Sequence, residues 1–168
     1  VSDSKQRSVL VDTGFIISVY DDSRANHSTA KKYYKYFLKN SIKMYLSTIV
    51  ISEYQQMQSV VDLMNTGHYI PLPFNYDDAI KAADIAYNLG GVNRKGDSQA
   101  KYKDDLKLMG QAQAGSIDFI ITEDKATMAS YCERLKKAGM FEPEVIVVSD
   151  GFDAAHFNNG QSSLIDED

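Results

Sequence analysis

Four acidic residues, Asp12, Glu53, Asp105 and Asp124, each end or interrupt a run of apolar side chains. Asp12 closes Ser8-Val9-Leu10-Val11, a run too short and too β-branched to be a helix of its own, and Gly14 marks the turn after it. A carboxylate at the end of a buried strand is costly to hold there unless something pairs with it. Glu53 has Ile49, Val50, Met57, Val60 and Met64 as neighbours at helical spacing, so it points along an apolar stripe. Three, four and seven residues after Asp105 come Leu108, Met109 and Ala112; after Asp104 come Lys107, Leu108 and Gln111. Asp105 therefore shares a buried face and Asp104 a solvated one. Asp124 follows the apolar run Phe119-Ile120-Ile121 and then Thr122-Glu123.

Each acid has a plainer role open to it. Glu53 lies close enough to a helix start to be a capping-box or dipole partner. Asp104 and Asp105 suit the first turn of a helix, and Asp124 suits an N-cap. Together, the four are expected to meet and hold a divalent metal. Hard oxygen donors without His or Cys suit Mg²⁺ or Mn²⁺, and His27, His68 and His156 have no ligand spacing to one another. Thr13 and Thr122 are placed to orient the acids by hydrogen bonds, with Asp104 in support. Glu123 should point away from Asp124, and it stands as a candidate extra ligand.

The elements that position these acids alternate. Strands are expected at Val9–Asp12, Met44–Ser47, Phe119–Thr122 and Val145–Val148. Helices are expected from Thr13 to about Tyr20, Ala30 to Leu38, Ile49 to about Met64, Asp77 or Asp78 to Leu89, Asp104 to about Ala114, and Lys125 to Lys137. Ser28 or Thr29, and Ser47 or Thr48, are the expected caps of the second and third helices. Tyr69–Phe74 carries Pro71 and Pro73 and is an edge strand at most. Val92–Lys103 is poor in apolar residues and reads as a loop. Strand alternating with helix predicts an α/β fold, with a parallel sheet covered on both faces and its ligand site outside the carboxyl ends of the strands. Asp12 and Asp124 both fall at such ends.

The 168 residues suffice for one domain with a real core, expected over residues 1–150. Residues 151–168 are expected to form an acidic, loosely packed tail. Cys132, alone, cannot form an internal disulfide, and the first seven residues lack the apolar stretch of a signal peptide; both favour a reducing, cytoplasmic setting. No apolar run approaches the roughly 18 residues of a membrane span. A net charge of −5 argues against a general nucleic-acid coat protein, though not against a nuclease with an acidic metal pocket.

The chain resembles the PIN-domain ribonucleases, including the VapC-type toxins of toxin–antitoxin pairs. The resemblance lies in Val9-Leu10-Val11-Asp12-Thr13, in Ser47-Thr48-Ile49-Val50-Ile51-Ser52-Glu53, in Asp105 to Ala112, and in Ile120-Ile121-Thr122-Glu123-Asp124. It runs from about residue 8 to 148. It implies a three-layer α/β/α sandwich with a central parallel sheet, and Mg²⁺- or Mn²⁺-dependent cleavage of single-stranded or loop RNA. Asp12, Glu53, Asp105 and Asp124 fall on the family's acidic positions. An antitoxin protein and a second copy of the chain are the partners it implies. Met128 stands where the family often has an aromatic, and Gly110 where a small Ala is usual and where the change should be harmless.

An RNA backbone needs positive charge nearby. Arg94, Lys95, Lys101 and Lys103, just before Asp105, are the expected substrate-binding residues. Lys31, Lys32, Lys35, Lys39 and Lys43 lie on or beside one helix among Tyr33, Tyr34, Tyr36 and Phe37, a pattern better explained by packed aromatics and solvated lysines. Asp12-Thr13-Gly14 is also the aspartic-protease tripeptide, but those enzymes are all-β. A phosphatase with a nucleophilic Asp would want a second Asp where Gly14 stands. A non-catalytic module of the same fold, or a DNA-directed nuclease, are the other readings; the presence of all four acids speaks against the first.

Overall fold

The structure, a computed structural model, describes residues 6–90 and 98–158. Its centre is a five-stranded, all-parallel sheet in the order β3-β2-β1-β4-β5. The strands are β1 (Ser8–Val11), β2 (Lys43–Ser47), β3 (Tyr69–Leu72), β4 (Phe119–Thr122) and β5 (Glu144–Val147). β1 and β4 are buried on both faces, which is why both read as unbroken apolar runs. β3 is an edge strand, where Pro71 removes no interior ladder bond. The helices are α1 (Thr13–Tyr20), α2 (His27–Lys39), α3 (Thr48–Tyr54), α4 (Val60–Asn65), α5 (Tyr76–Asn88), α6 (Ser98–Ala114) and α7 (Ser130–Lys137). They cover both faces of the sheet and complete an α/β/α sandwich. Among the described residues no helix is long and apolar enough to cross a membrane.

The chain builds outward from β1 to β3, then returns to place β4 on the other side of β1. The direction of winding thus reverses between β1 and β4, and such a reversal opens a crevice at the carboxyl ends of the two strands. Val11 pairs with Ile121, so Asp12 and Thr122 come level at that edge.

Several elements differ from expectation. The helix foreseen from Ile49 to Met64 is two, because Gln55-Gln56-Met57-Gln58-Ser59 is polar apart from Met57, which finds no core to enter. Met57 is 57% exposed, and the Gln55 side chain accepts the Val60 N–H at 3.0 Å, starting α4 anew. Ser47 caps α3 as expected, accepting from Ile49 N at 3.1 Å. Asn75, not Asp77 or Asp78, caps α5, and Asp78 completes a capping box with it. The loop expected over 92–103 is helical from Ser98 onward, since nothing between Ser98 and Asp104 breaks a helix; residues 91–97 lie outside the described residues. The helix expected from Lys125 begins as one turn of π-helix, Lys125–Ala129, and becomes α7 only at Ser130.

The core also runs past residue 150. Phe157 is 6% exposed and packs its ring 4.9 Å from those of Phe119 and Tyr36. The Tyr33 hydroxyl donates to Gly151 O at 2.9 Å and accepts from Asp153 N at 3.0 Å. Residues 151–158 are therefore docked rather than loose. The acidic end, 159–168, lies outside the described residues. On α2, Tyr33 and Phe37 are buried while Lys31, Lys32, Lys35 and Lys39 are exposed, as packing rather than ligand binding would have it.

Gly110 is not interchangeable with Ala. A Cβ there would stand 2.6 Å from the backbone nitrogen of Ala82, so α5 and α6 approach closely only because the side chain is missing. Gly110→Ala is expected to cost about 1–3 kcal/mol through forced separation of the two helices. That loss lowers the melting temperature by about 2–4 °C per kcal/mol in a domain of this size. A melt superimposable on wild type would contradict the close approach.

Candidate functional site

A cavity of about 520 Å³ opens at the carboxyl ends of β1 and β4, and all four acids singled out above line it. Asp12 enters from the end of β1, Glu53 from the last turn of α3, Asp105 from α6 and Asp124 from the turn after β4. Asp105 is buried, at 5% exposure, while the other three are half-buried. Asp104 lines the cavity too, and it accepts a hydrogen bond from Lys107 Nζ at 2.8 Å. Asp104 and Asp105 sit two turns into α6 rather than in its first turn, so the plainer role of helix-start acids does not hold for them.

Three threonines separate and orient these acids. The Thr13 hydroxyl donates a short hydrogen bond to Glu53 Oε2, while the Thr13 N–H donates to Asp12 Oδ1 at 2.8 Å. The buried Thr122 hydroxyl donates to Asp12 Oδ2 at 2.6 Å and accepts the Asp124 N–H at 2.9 Å. The Thr127 hydroxyl lies within reach of two carboxylates, 2.6 Å from Asp124 Oδ2 and 3.1 Å from Asp105 Oδ2. A continuous hydrogen-bonded series thus runs Glu53, Thr13, Asp12, Thr122, Asp124, Thr127, Asp105. Asp124 also caps the helix that follows, accepting from Thr127 N at 3.0 Å.

The donor set suits a hard divalent cation in kind: every carboxylate is an oxygen donor, and among the described residues no histidine or cysteine lines the cavity. Among the described residues no three Asp, Glu, His or Cys side chains converge as a metal cage in this conformation. The Thr127 hydroxyl stands between Asp105 and Asp124, which keeps those two carboxylates from meeting directly.

Glu123, expected to point away from Asp124, lines the same cavity but stands outside this hydrogen-bonded series. It accepts hydrogen bonds from Ser18 Oγ at 2.5 Å, Arg24 Nη2 at 3.0 Å and Asn26 Nδ2 at 3.0 Å. Of the basic residues expected at the substrate, Lys103 is exposed and does not line the cavity. Arg94, Lys95 and the side chain of Lys101 lie outside the described residues. The described cations that do line the cavity are Arg24 and Lys125, neither of which stood out in the sequence. Thr127 was missed as well, although a threonine three residues after an N-cap Asp is a legible signal. Away from these acids, burial pushes the Cys132 thiol up to about 12 and raises the Tyr69 phenol, with help from the Tyr20 hydroxyl.

No protein-family profile and no curated protein sequence matches the chain. Solved structures do. A VapBC2 complex from Rickettsia felis, bound to a fragment of its promoter DNA, matches with a TM-score of 0.53 and 14% identity, over 82% of this chain and 98% of that one. DNA-bound VapBC from Salmonella typhimurium matches at 0.51 and 15% identity, over 85% and 99%. A toxin–antitoxin complex from Klebsiella pneumoniae matches at 0.51 and 17%, over 72% and 90%. The chain has the PIN fold. At these identities the likeness is one of fold, and the site is argued from its own side chains. Within this PIN fold, Met128, at the position where an aromatic was noted as frequent, is fully buried beneath the π turn, so it serves packing.

Two outcomes follow for this site. Thr127→Val removes the hydroxyl that lies within reach of both acids and costs about 1 kcal/mol in metal-free buffer. A melting temperature about 2–4 °C below wild type in EDTA is the expected reading, and an unchanged one would contradict the bridge. Cys132 stays protonated at neutral pH, so thiol reagents should label it only on unfolding; rapid labelling of the native chain would contradict its burial.

Proposed function

We propose that the chain is a metal-dependent endoribonuclease that uses Mg²⁺ or Mn²⁺ to cleave phosphodiester bonds of single-stranded or loop RNA, as the toxin of a toxin–antitoxin pair. The observation that carries this reading is the series of four acids and three threonines around one cavity at the point where the sheet reverses its winding. The match to VapBC complexes supports the nuclease fold and an antitoxin partner.

In this reading Asp12, Asp105 and Asp124 hold the metal, and Glu53 holds it or positions the attacking water. When bound, a divalent ion supplies an activated water and offsets the charge that develops on the phosphate. Thr13 keeps Glu53 turned toward Asp12, and Thr122 locks both Asp12 and the backbone of Asp124 to the end of β4. Asp104, tied to Lys107, adds negative charge at the rim. The hydroxyl donors bear directly on the alternative of a non-catalytic module. A fold that had lost its chemistry would have no need to keep four acids aimed into one cavity.

Purified chain is expected to cleave single-stranded RNA in Mn²⁺ and not in EDTA. Asp12→Asn should lower that rate by on the order of 10²-fold or more while leaving the circular dichroism spectrum unchanged. Equal cleavage by wild type and variant would overturn the assignment.

A further inference from the structure

We propose that Arg24 grips the phosphate backbone of the substrate at this cavity, and that Glu123 is the positioning residue that holds its guanidinium there. The proposal rests on the ribonuclease reading and adds to it the residue that draws a polyanion to an acidic site.

A cavity walled by Asp12, Glu53, Asp105 and Asp124 repels a phosphodiester, and the whole chain carries a net charge of −5. Approach of RNA therefore needs a local cation. Of the two described cations on the wall, Lys125 is 67% exposed and is drawn to Asp150 at the surface. Arg24 is held from below, and its fork is well suited to phosphate oxygens, which a planar guanidinium can bind in pairs.

The setting of Arg24 is specific. It sits in the turn between α1 and α2, where the Asp21 carboxylate accepts from both Ser23 N, at 3.0 Å, and Ser23 Oγ, at 2.6 Å. These bonds hold Asp21 below the usual carboxylate range and keep it charged. The backbone of Arg24 is tied on both sides, its N–H to Asp21 O at 3.2 Å and its carbonyl to the His27 N–H at 3.0 Å. Among the described residues only Nη2 of the guanidinium is hydrogen-bonded, to Glu123 Oε2, and the side chain remains 44% exposed.

Glu123 is in turn fixed by Ser18, which is fully buried, and by Asn26. Gly14 leaves it room: a Cβ there would lie 3.1 Å from Glu123 Oε2. Built this way, Glu123 is committed to the cation and is not a fifth metal ligand.

A purely structural salt bridge would predict a different pattern of defects, so cleavage kinetics across a salt series decide. The substrate is a fluorescein-labelled single-stranded oligoribonucleotide in Mn²⁺, and exposed Lys31→Gln serves as the control for net charge. Arg24→Gln is expected to raise KM about tenfold with kcat within about twofold of wild type. It should also flatten the dependence of log KM on log salt by about 0.7, the loss of one phosphate contact to a single strand. Arg24→Lys keeps the charge without the fork, so KM rises less and the salt slope stays. Glu123→Gln keeps the acceptor but loosens the hold, giving an intermediate KM. Lys31→Gln should match wild type.

Wild-type KM and salt slope in Arg24→Gln, with wild type active, would overturn this proposal alone. A fall in kcat and melting temperature with the slope unchanged would assign Arg24 a structural role and overturn it too. If Arg24→Gln does not fold, a drop in salt slope for Arg24→Lys decides against it. A wild-type chain that cleaves no RNA would take down the ribonuclease reading and this proposal with it.

Discussion

Carboxylates gathered at one edge of a sheet repel one another, and the fold must spend hydrogen-bond donors to keep them aimed into the same space. Here the donors are threonine hydroxyls and backbone N–H groups. Thr13, Thr122 and Thr127 alternate with Glu53, Asp12, Asp124 and Asp105, so each acid is oriented by at least one neighbour that is itself fixed in a strand or helix. Hydroxyls suit the task because they donate without adding charge, and because a β-branched side chain has few rotamers to lose. The neutral spacers leave the cavity strongly negative, which is the condition under which a small divalent cation binds and an anionic substrate needs help to approach.

The series depends on the topology beneath it. Asp12 and Thr122 meet because Val11 and Ile121 are register partners in adjacent parallel strands. Asp105 reaches them because α6 crosses back from β3 to β4 and presents its second turn at the same edge. That path is held by the close approach of α6 to α5 at Gly110. The π turn at Lys125–Ala129 also bears on the site. It lets Asp124 cap the following helix while Thr127 turns its hydroxyl to Asp105.

Much of this was legible in the amino-acid order. β1 and β4 are buried strands that end on acids, and that pattern carries both the sheet and the two central site residues. The face of Asp105 followed from Leu108, Met109 and Ala112 alone. What escaped has local physical reasons. The break after Tyr54 comes from a polar run whose one apolar residue, Met57, stays exposed, inside a segment that reads as one stripe. Ser98–Lys103 is poor in apolar residues but also lacks any helix breaker. Phe152 and Phe157 are isolated aromatics in a polar stretch, and their burial depends on a pocket made by α2 and β4. Arg24 and Glu123 are 99 residues apart, and no periodicity links a turn residue to a strand end. Gly110 shows the reverse case: a residue that looked neutral by type is constrained by a backbone that sequence spacing does not reveal.

The central claim is that these acids act as one cation site, and thermal melts in Mn²⁺ against EDTA test it most directly. A ligand that binds only the folded chain stabilises it by about 2.7 kcal/mol at a hundredfold excess over its dissociation constant, which here amounts to a rise of about 5–10 °C. That rise is expected for the wild type and its loss in Asp105→Asn, which replaces the most deeply buried of the four acids. Superimposable wild-type melts with and without the metal would contradict it.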